Sequence, residues 1–200
     1  MKLTRFLPRL FLAGSTLPAS AHPALFHGTG SADSLSEGFL HPFSGLDHLL
    51  VMVAVGLWAV QIGGRAVWML PFAFVASMMA GGILGLAAGI MAPVAEHGIL
   101  ASLFLLGTAL GMAWRPRLAI ALLFTGLAGL CHGYAHGFEM SAGASPAVFF
   151  AGMIAATALL HTAGIGGGLG LSHIRMQGFL RTAGAAVLLF AAYSAFHPVA

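Results

Sequence analysis

The chain has 200 residues, 59% of them hydrophobic and only 6% charged, with a mean hydropathy of +0.96. Soluble domains carry about 25% charged residues, so this composition excludes a soluble globular domain and leaves a polytopic helical membrane protein. Eight Lys and Arg against five Asp and Glu give a formal charge of +3. Three of the basic residues fall in the first 21 positions and the other five balance the acids, which gives no support to nucleic-acid binding.

Residues 1–21 read as a secretory signal peptide. Lys2, Arg5 and Arg9 form its basic start, a short apolar run ends near Leu17, and Ala19-Ser20-Ala21 is an A-x-A cleavage site. Pro8, Arg9 and Pro18 leave too little apolar chain to span ~30 Å. Residues 22–39 read as a periplasmic tail carrying His22 and His27. Cleavage after Ala21 makes His22 the N-terminus, where amine and imidazole chelate together. Pro23 has no amide N–H, so tight binding through backbone nitrogen is blocked and weak capture is favoured.

Residues 40–200 read as an all-α membrane domain of six transmembrane helices, at about 40–62, 66–91, 97–114, 117–138, 147–168 and 178–197. Pro42 suits a first helical position. Short connections predict that consecutive helices are antiparallel neighbours. Gly81, Gly85 and Gly89, and again Gly107 and Gly111, repeat every fourth residue, a spacing that lets backbones approach closely in lipid. The run from Gly164 to Gly170, GIGGGLG, reads instead as a flexible cytoplasmic mouth.

A cleaved signal puts the mature N-terminus outside the cytoplasm. Six spans then place Arg65, Arg115, Arg117, Arg175 and Arg181 all inside, in accord with the positive-inside rule. Asp33, Glu37, Asp47, Glu96, Glu139 and the C-terminus fall outside. The expected location is a bacterial cytoplasmic membrane, with both mature termini periplasmic.

An ionisable group in a span is a functional candidate by default. The single cysteine, Cys131, excludes an intramolecular disulfide and a Cys-rich zinc site. A metal site here therefore draws on His, carboxylate and Met, and ten histidines are present. His41, Asp47 and His48 head the first helix, with Met52 one turn after His48. On the fourth, CHGYAHGFE places His132, His136 and Glu139 at i, i+4 and i+7, within about 60° of one another. Two imidazoles one turn apart can hold one metal ion, and Glu139 is either a third ligand or a hydrogen-bond partner of an imidazole. Accessory candidates are His22, His27, Glu96, His97 and His161. Capping competes with ligation at Glu96. His161 lies deep in the fifth span one turn after Thr157, and a buried histidine bonded across helices is its competing reading. Met52, Met78, Met79 and Met112 read as packing rather than as ligands.

No P-loop and no H-E-x-x-H motif occurs, so the reading is not an enzyme and not an ATPase. A b-type cytochrome, with His132 or His136 and His161 as axial ligands, needs histidines at matching depth, and His161 is displaced toward the cytoplasm. A membrane metal-binding or sensor protein without transport uses the same ligands and stays open.

The two motifs resemble those of the HupE/UreJ family of nickel and cobalt permeases. The family's His, five residues, Asp-His is matched by His41, Asp47 and His48. Its Phe-His-Gly-x-Ala/Val-His-Gly-x-Glu is matched by His132, Gly133, Ala135, His136, Gly137 and Glu139, with Cys131 in place of Phe. The signal peptide, His-bearing tail and six spans extend the resemblance over the whole chain. It implies import of Ni²⁺ or Co²⁺ through a His/Asp/Glu site between helices 1 and 4, driven without ATP, to serve hydrogenase, urease or cobalamin enzymes. The metal would be the cargo and there would be no prosthetic group. The partners would be the ion and the lipid bilayer.

Overall fold

Backbone groups inside lipid must be satisfied within their own segment, so long apolar runs are stable there as helices. The computed structural model describes residues 31–88, 92–171 and 176–197. The expected signal peptide, His22, His27, Gly89, His173 and Arg175 lie outside the described residues. Among those described there are seven helices and no strand: α1 Ser31–Ser44, α2 Leu46–Ile62, α3 Ala66–Ala88, α4 Ala92–Gly111, α5 Leu118–Glu139, α6 Pro146–Leu171 and α7 Met176–Phe196. The last five are each long and apolar enough to cross a membrane, and α1 with α2 makes a sixth, bent candidate. The protein is an all-α, multi-pass membrane bundle, and the expected span boundaries hold to within a few residues, except for the first span and for the start of the third, expected at 97 and found at Ala92; the expected end of the second, at 91, lies outside the described residues.

The first span is not one straight helix. Its two parts meet at 82°. Pro42 lies inside α1 rather than opening a helix, and having no N–H it cannot continue the hydrogen-bond ladder. The chain turns four residues after His41, through extended Gly45 (φ −109°, ψ 122°), and α2 begins afresh. A Cβ at Gly45 would run into the Asp47 carboxylate and the His48 ring, so glycine is required there for space. Residues 31–39, expected as tail, are helical and docked on α6. Gly38 and Gly152 bring the two backbones together against the Phe149 and Leu35 carbonyls. The Ser145 N–H donates to Ser34 Oγ (3.0 Å), and the Ser141 hydroxyl donates to Glu37.

Helix α2 is the axis of the bundle, touching α1, α3, α4, α6 and α7, and its buried residues run almost unbroken from Val51 to Gln61. A helix apolar on all sides belongs inside. The heaviest remaining pairings are not the chain neighbours that short connections suggested, although α4 also packs on α5. Helix α3 packs chiefly on α5, and α4 on α7. Matched glycines decide this, because in lipid close backbone approach drives association more than loop length does. Gly81 and Gly85 of α3 meet the Leu130 and Tyr134 carbonyls of α5, while Gly129, Gly133 and Gly137 of α5 meet the Phe74, Met78 and Gly82 carbonyls of α3. Gly107 and Gly184 join α4 to α7, and Gly56 and Gly164 join α2 to α6.

The GIGGGLG run is helical throughout, the last turns of α6, and is not a loose mouth as far as Leu171. Gly164 and Gly168, four apart, face Val53, Gly56 and Val60 of α2, whereas Gly166, Gly167 and Gly170 face open space.

Candidate metal centre

The seam between α3 and α5 puts Gly129, Gly133 and Gly137 on one stripe of α5 and His132 and His136 on the next. Holding the glycine stripe against α3 turns the two imidazoles into the bundle, where both are fully buried. From the opposite side the first turn of α2 supplies His48, also buried. Ring centroids of His48 lie 4.6 Å from His136 and 5.1 Å from His132. The 82° bend folds α1 over this group, so that His41 meets His136 edge-on at 4.7 Å and stands 6.3 Å from His48. His41 and His48 thus converge through the bend, not along one face of a single straight helix. His41 Nε2 lies 3.4 Å from Glu139 Oε2, linking α1 to the end of α5.

Hydrogen bonds fix which nitrogens are free. The Asp47 carboxylate only accepts, so His48 donates to it through Nδ1 (2.8 Å), and Oδ1 also accepts from the His48 backbone N–H (2.9 Å). His132 donates through Nδ1 to the Ala128 carbonyl (2.8 Å). In the neutral form both rings then present an Nε2 lone pair, the arrangement of metal-binding histidines held by a carboxylate or carbonyl. Those two Nε2 atoms, and both ring nitrogens of His136, are buried with no hydrogen-bond partner among the described residues. Such orphans are rare unless an ion or water uses them.

The donors form two overlapping groups. The outer one is His41, His136 and Glu139, whose ligand atoms lie within 4.8 Å of one another, with Glu139 exposed and His136 buried. The inner one is His48, His132 and His136, all imidazole, whose rings are neighbours at 4.6, 5.1 and 6.4 Å between centroids. His136 belongs to both. Bonds of about 2.1 Å put ligand atoms about 3 Å apart around a first-row ion, so the outer group needs only small side-chain shifts to close. Oxygen and nitrogen at the outside, followed by imidazole alone, suit a divalent transition metal. Two carboxylates, Glu139 at the outer group and Asp47 behind His48, offset its charge.

A model of the family described as HupE / UreJ protein matches residues 10–194. The chain belongs to the HupE/UreJ family. Protein HupE of Rhizobium leguminosarum bv. viciae is 41% identical over 182 residues, covering 89% of this chain and 91% of that protein. No solved structure matches the chain. Both HupE/UreJ motifs quoted from the sequence converge on the imidazole cluster, one through the α1–α2 bend and the other along α5.

Other expected residues stand apart. Glu96 and His97 are exposed at the start of α4, and His97 Nδ1 bonds within its own helix to the Pro93 carbonyl. Cys131 packs beside Gly98 of α4. His161 is buried, but no residue bonds its ring nitrogens among those described, so it is not a histidine bonded across helices. The Phe74 ring neighbours both His132 (5.4 Å) and His161 (5.2 Å). Sequence reasoning missed Phe74, and also Phe149, which meets His41 at 5.8 Å. Phe74 lies eight residues before Gly82 on a glycine-marked face, but one aromatic among fifteen phenylalanines carries no distinguishing signal.

Proposed function

We propose that this HupE/UreJ protein moves Ni²⁺ or Co²⁺ across the cytoplasmic membrane into the cell, without catalysing a covalent reaction. The observation that carries this is the convergence of His41, His48, His132, His136 and Glu139 from three separate helices, with unpartnered ring nitrogens facing one another inside an apolar bundle. The ion is captured at the periplasmic side, with His22 and His27 in the capture segment. Glu139 and His41 then receive it, His136 transfers it, and His48 and His132 hold it. Asp47 holds the His48 ring in the tautomer that ligates. The exposed Arg65, Arg115, Arg117 and Arg181 mark the cytoplasmic end, so the path runs inward from the cluster.

Radiolabelled Ni²⁺ uptake in a nickel-transport-deficient bacterium tests this. His48→Ala, His136→Ala and Glu139→Ala should each lower initial uptake by about tenfold or more at equal membrane abundance. Normal accumulation in all three variants would sink the proposed site. Binding without uptake in the wild type would favour a sensor. Competition with Co²⁺ in the same cells measures selectivity, which the donor set leaves nearly even.

A further inference from the structure

Buried polar atoms without partners do not stop at the metal cluster. Among the described residues, both ring nitrogens of His161 on α6, Thr125 Oγ1 on α5 and Gln61 Oε1 on α2 are also orphaned, and all three residues are at most 2% exposed. All three lie deeper than the cluster. Thr125 is seven residues, roughly 10 Å, inward of His132 on the same stripe of α5. Gln61 is thirteen residues, roughly 20 Å, beyond His48 on α2. Its amide donates to the Ala109 and Trp114 carbonyls, which fixes the side chain and leaves the oxygen unused. His161 lies beside the middle of α2, where its backbone carbonyl abuts Gly56.

One group interrupts this series. Phe74 is fully buried, and its ring touches His132 on one side and stands edge-on to His161 on the other. One turn further along the same two helices, Met78 and Thr157 close the layer above, the Thr157 hydroxyl directed at the Met78 sulfur at 3.8 Å. The Phe74 ring therefore neighbours both imidazoles and stands where it can control passage of an ion from His132 to His161.

We propose that His161 is a second, inner binding station for a divalent transition-metal ion, and that the Phe74 side chain is the gate between it and the outer cluster. This rests on the transport reading above and adds to it a two-station path. The ring keeps the stations from sharing water, so an ion is released inward only when the ring swings aside. Thr125 and Gln61 supply oxygen donors beyond it. One imidazole among oxygens holds such an ion more weakly than three imidazoles do, which favours onward release.

The test uses the full mature chain in liposomes holding a Ni²⁺-quenched dye, under an inside-negative potassium diffusion potential, with Ni²⁺ titration of the same protein in detergent. His161→Leu should bind Ni²⁺ at the outer cluster within about twofold of wild type, yet carry it at least tenfold more slowly. His161→Asn, smaller than the native ring, should behave alike, so a folding defect in one variant leaves the other informative. Phe74→Ala should raise Ni²⁺ flux and pass Mg²⁺ faster than wild type does. Wild-type flux in both His161 variants would overturn the inner station. Unchanged rate and ion selectivity in Phe74→Ala would overturn the gate. A wild type that carries no Ni²⁺ would overturn the transport reading itself, an outcome distinct from either.

Discussion

In the proposed site, Asp47 acts on His48 rather than as a ligand. Its Oδ1 is committed twice to His48, at the ring and at the backbone, in the first turn of α2 where a carboxylate also suits the helix dipole. Removing such a partner of a ligating histidine typically costs 10–100-fold in metal affinity. Asp47→Ala should therefore weaken Ni²⁺ binding by about that factor, whereas Asp47→Asn should lose less, because an amide oxygen still accepts from Nδ1–H. Calorimetric titration of both variants checks the order, and an Asp47→Ala protein that binds like wild type would remove Asp47 from the site. At this scale the sequence is most legible, since His, Asp and Glu stand out in apolar helices. Phe74 and Phe149 do not, because a phenylalanine that shields an imidazole has the same composition and period as one that packs against leucine.

The individual helices were legible from hydropathy, but their partners and the bend were not. HPFSG reads equally as a helix start with proline at its first position and as the end of one helix before another. Docking of α1 on α6 through Gly38 and Gly152 selects the second, and that contact is non-local. Likewise Gly81 and Gly85 announced a close seam without naming the helix opposite. The seam makes a paired prediction. A Cβ at Gly133 would strike the Met78 backbone, which no rotamer can relieve, whereas one at Gly167 meets nothing. Gly133→Ala should destabilise by about 1–3 kcal/mol, and Gly167→Ala should stabilise by roughly 0.5–1 kcal/mol through lost freedom of the unfolded chain. Thermal unfolding in detergent separates them, and equal melting temperatures would mean that the α3–α5 seam is looser than drawn. Because His132 flanks Gly133, Gly133→Ala should also weaken metal binding, while Gly167→Ala should not.

The whole molecule joins a cluster of donors at one end of the bundle to an opposite end marked by arginine, with apolar helix surface between. Large side chains such as Trp68, Phe72, Leu123 and Leu189 are exposed around this belt, where lipid rather than water meets them. The cluster and the arginines were legible as opposite ends because charge follows topology closely in a chain with so few charges. The energetics follow from the same polarity. An inside-negative potential is worth ~2.3 kcal/mol per charge per 100 mV, about 4.6 for a divalent ion, or roughly three powers of ten in concentration ratio. That suffices for accumulation if the ion is handed from tighter to weaker ligands along the way, so no nucleotide is needed. Ni²⁺ accumulation in proteoliposomes should then collapse to equilibration when the potential is clamped at zero with valinomycin and symmetric potassium, even while an inward proton gradient is kept. It should return in graded fashion as the potential is restored. Accumulation that survives the clamp but vanishes when the pH gradient is removed would instead place a proton on the path, with Glu139 the exposed carboxylate beside His41 to carry it. The wild type and Glu139→Gln would then differ in proton dependence rather than in rate alone.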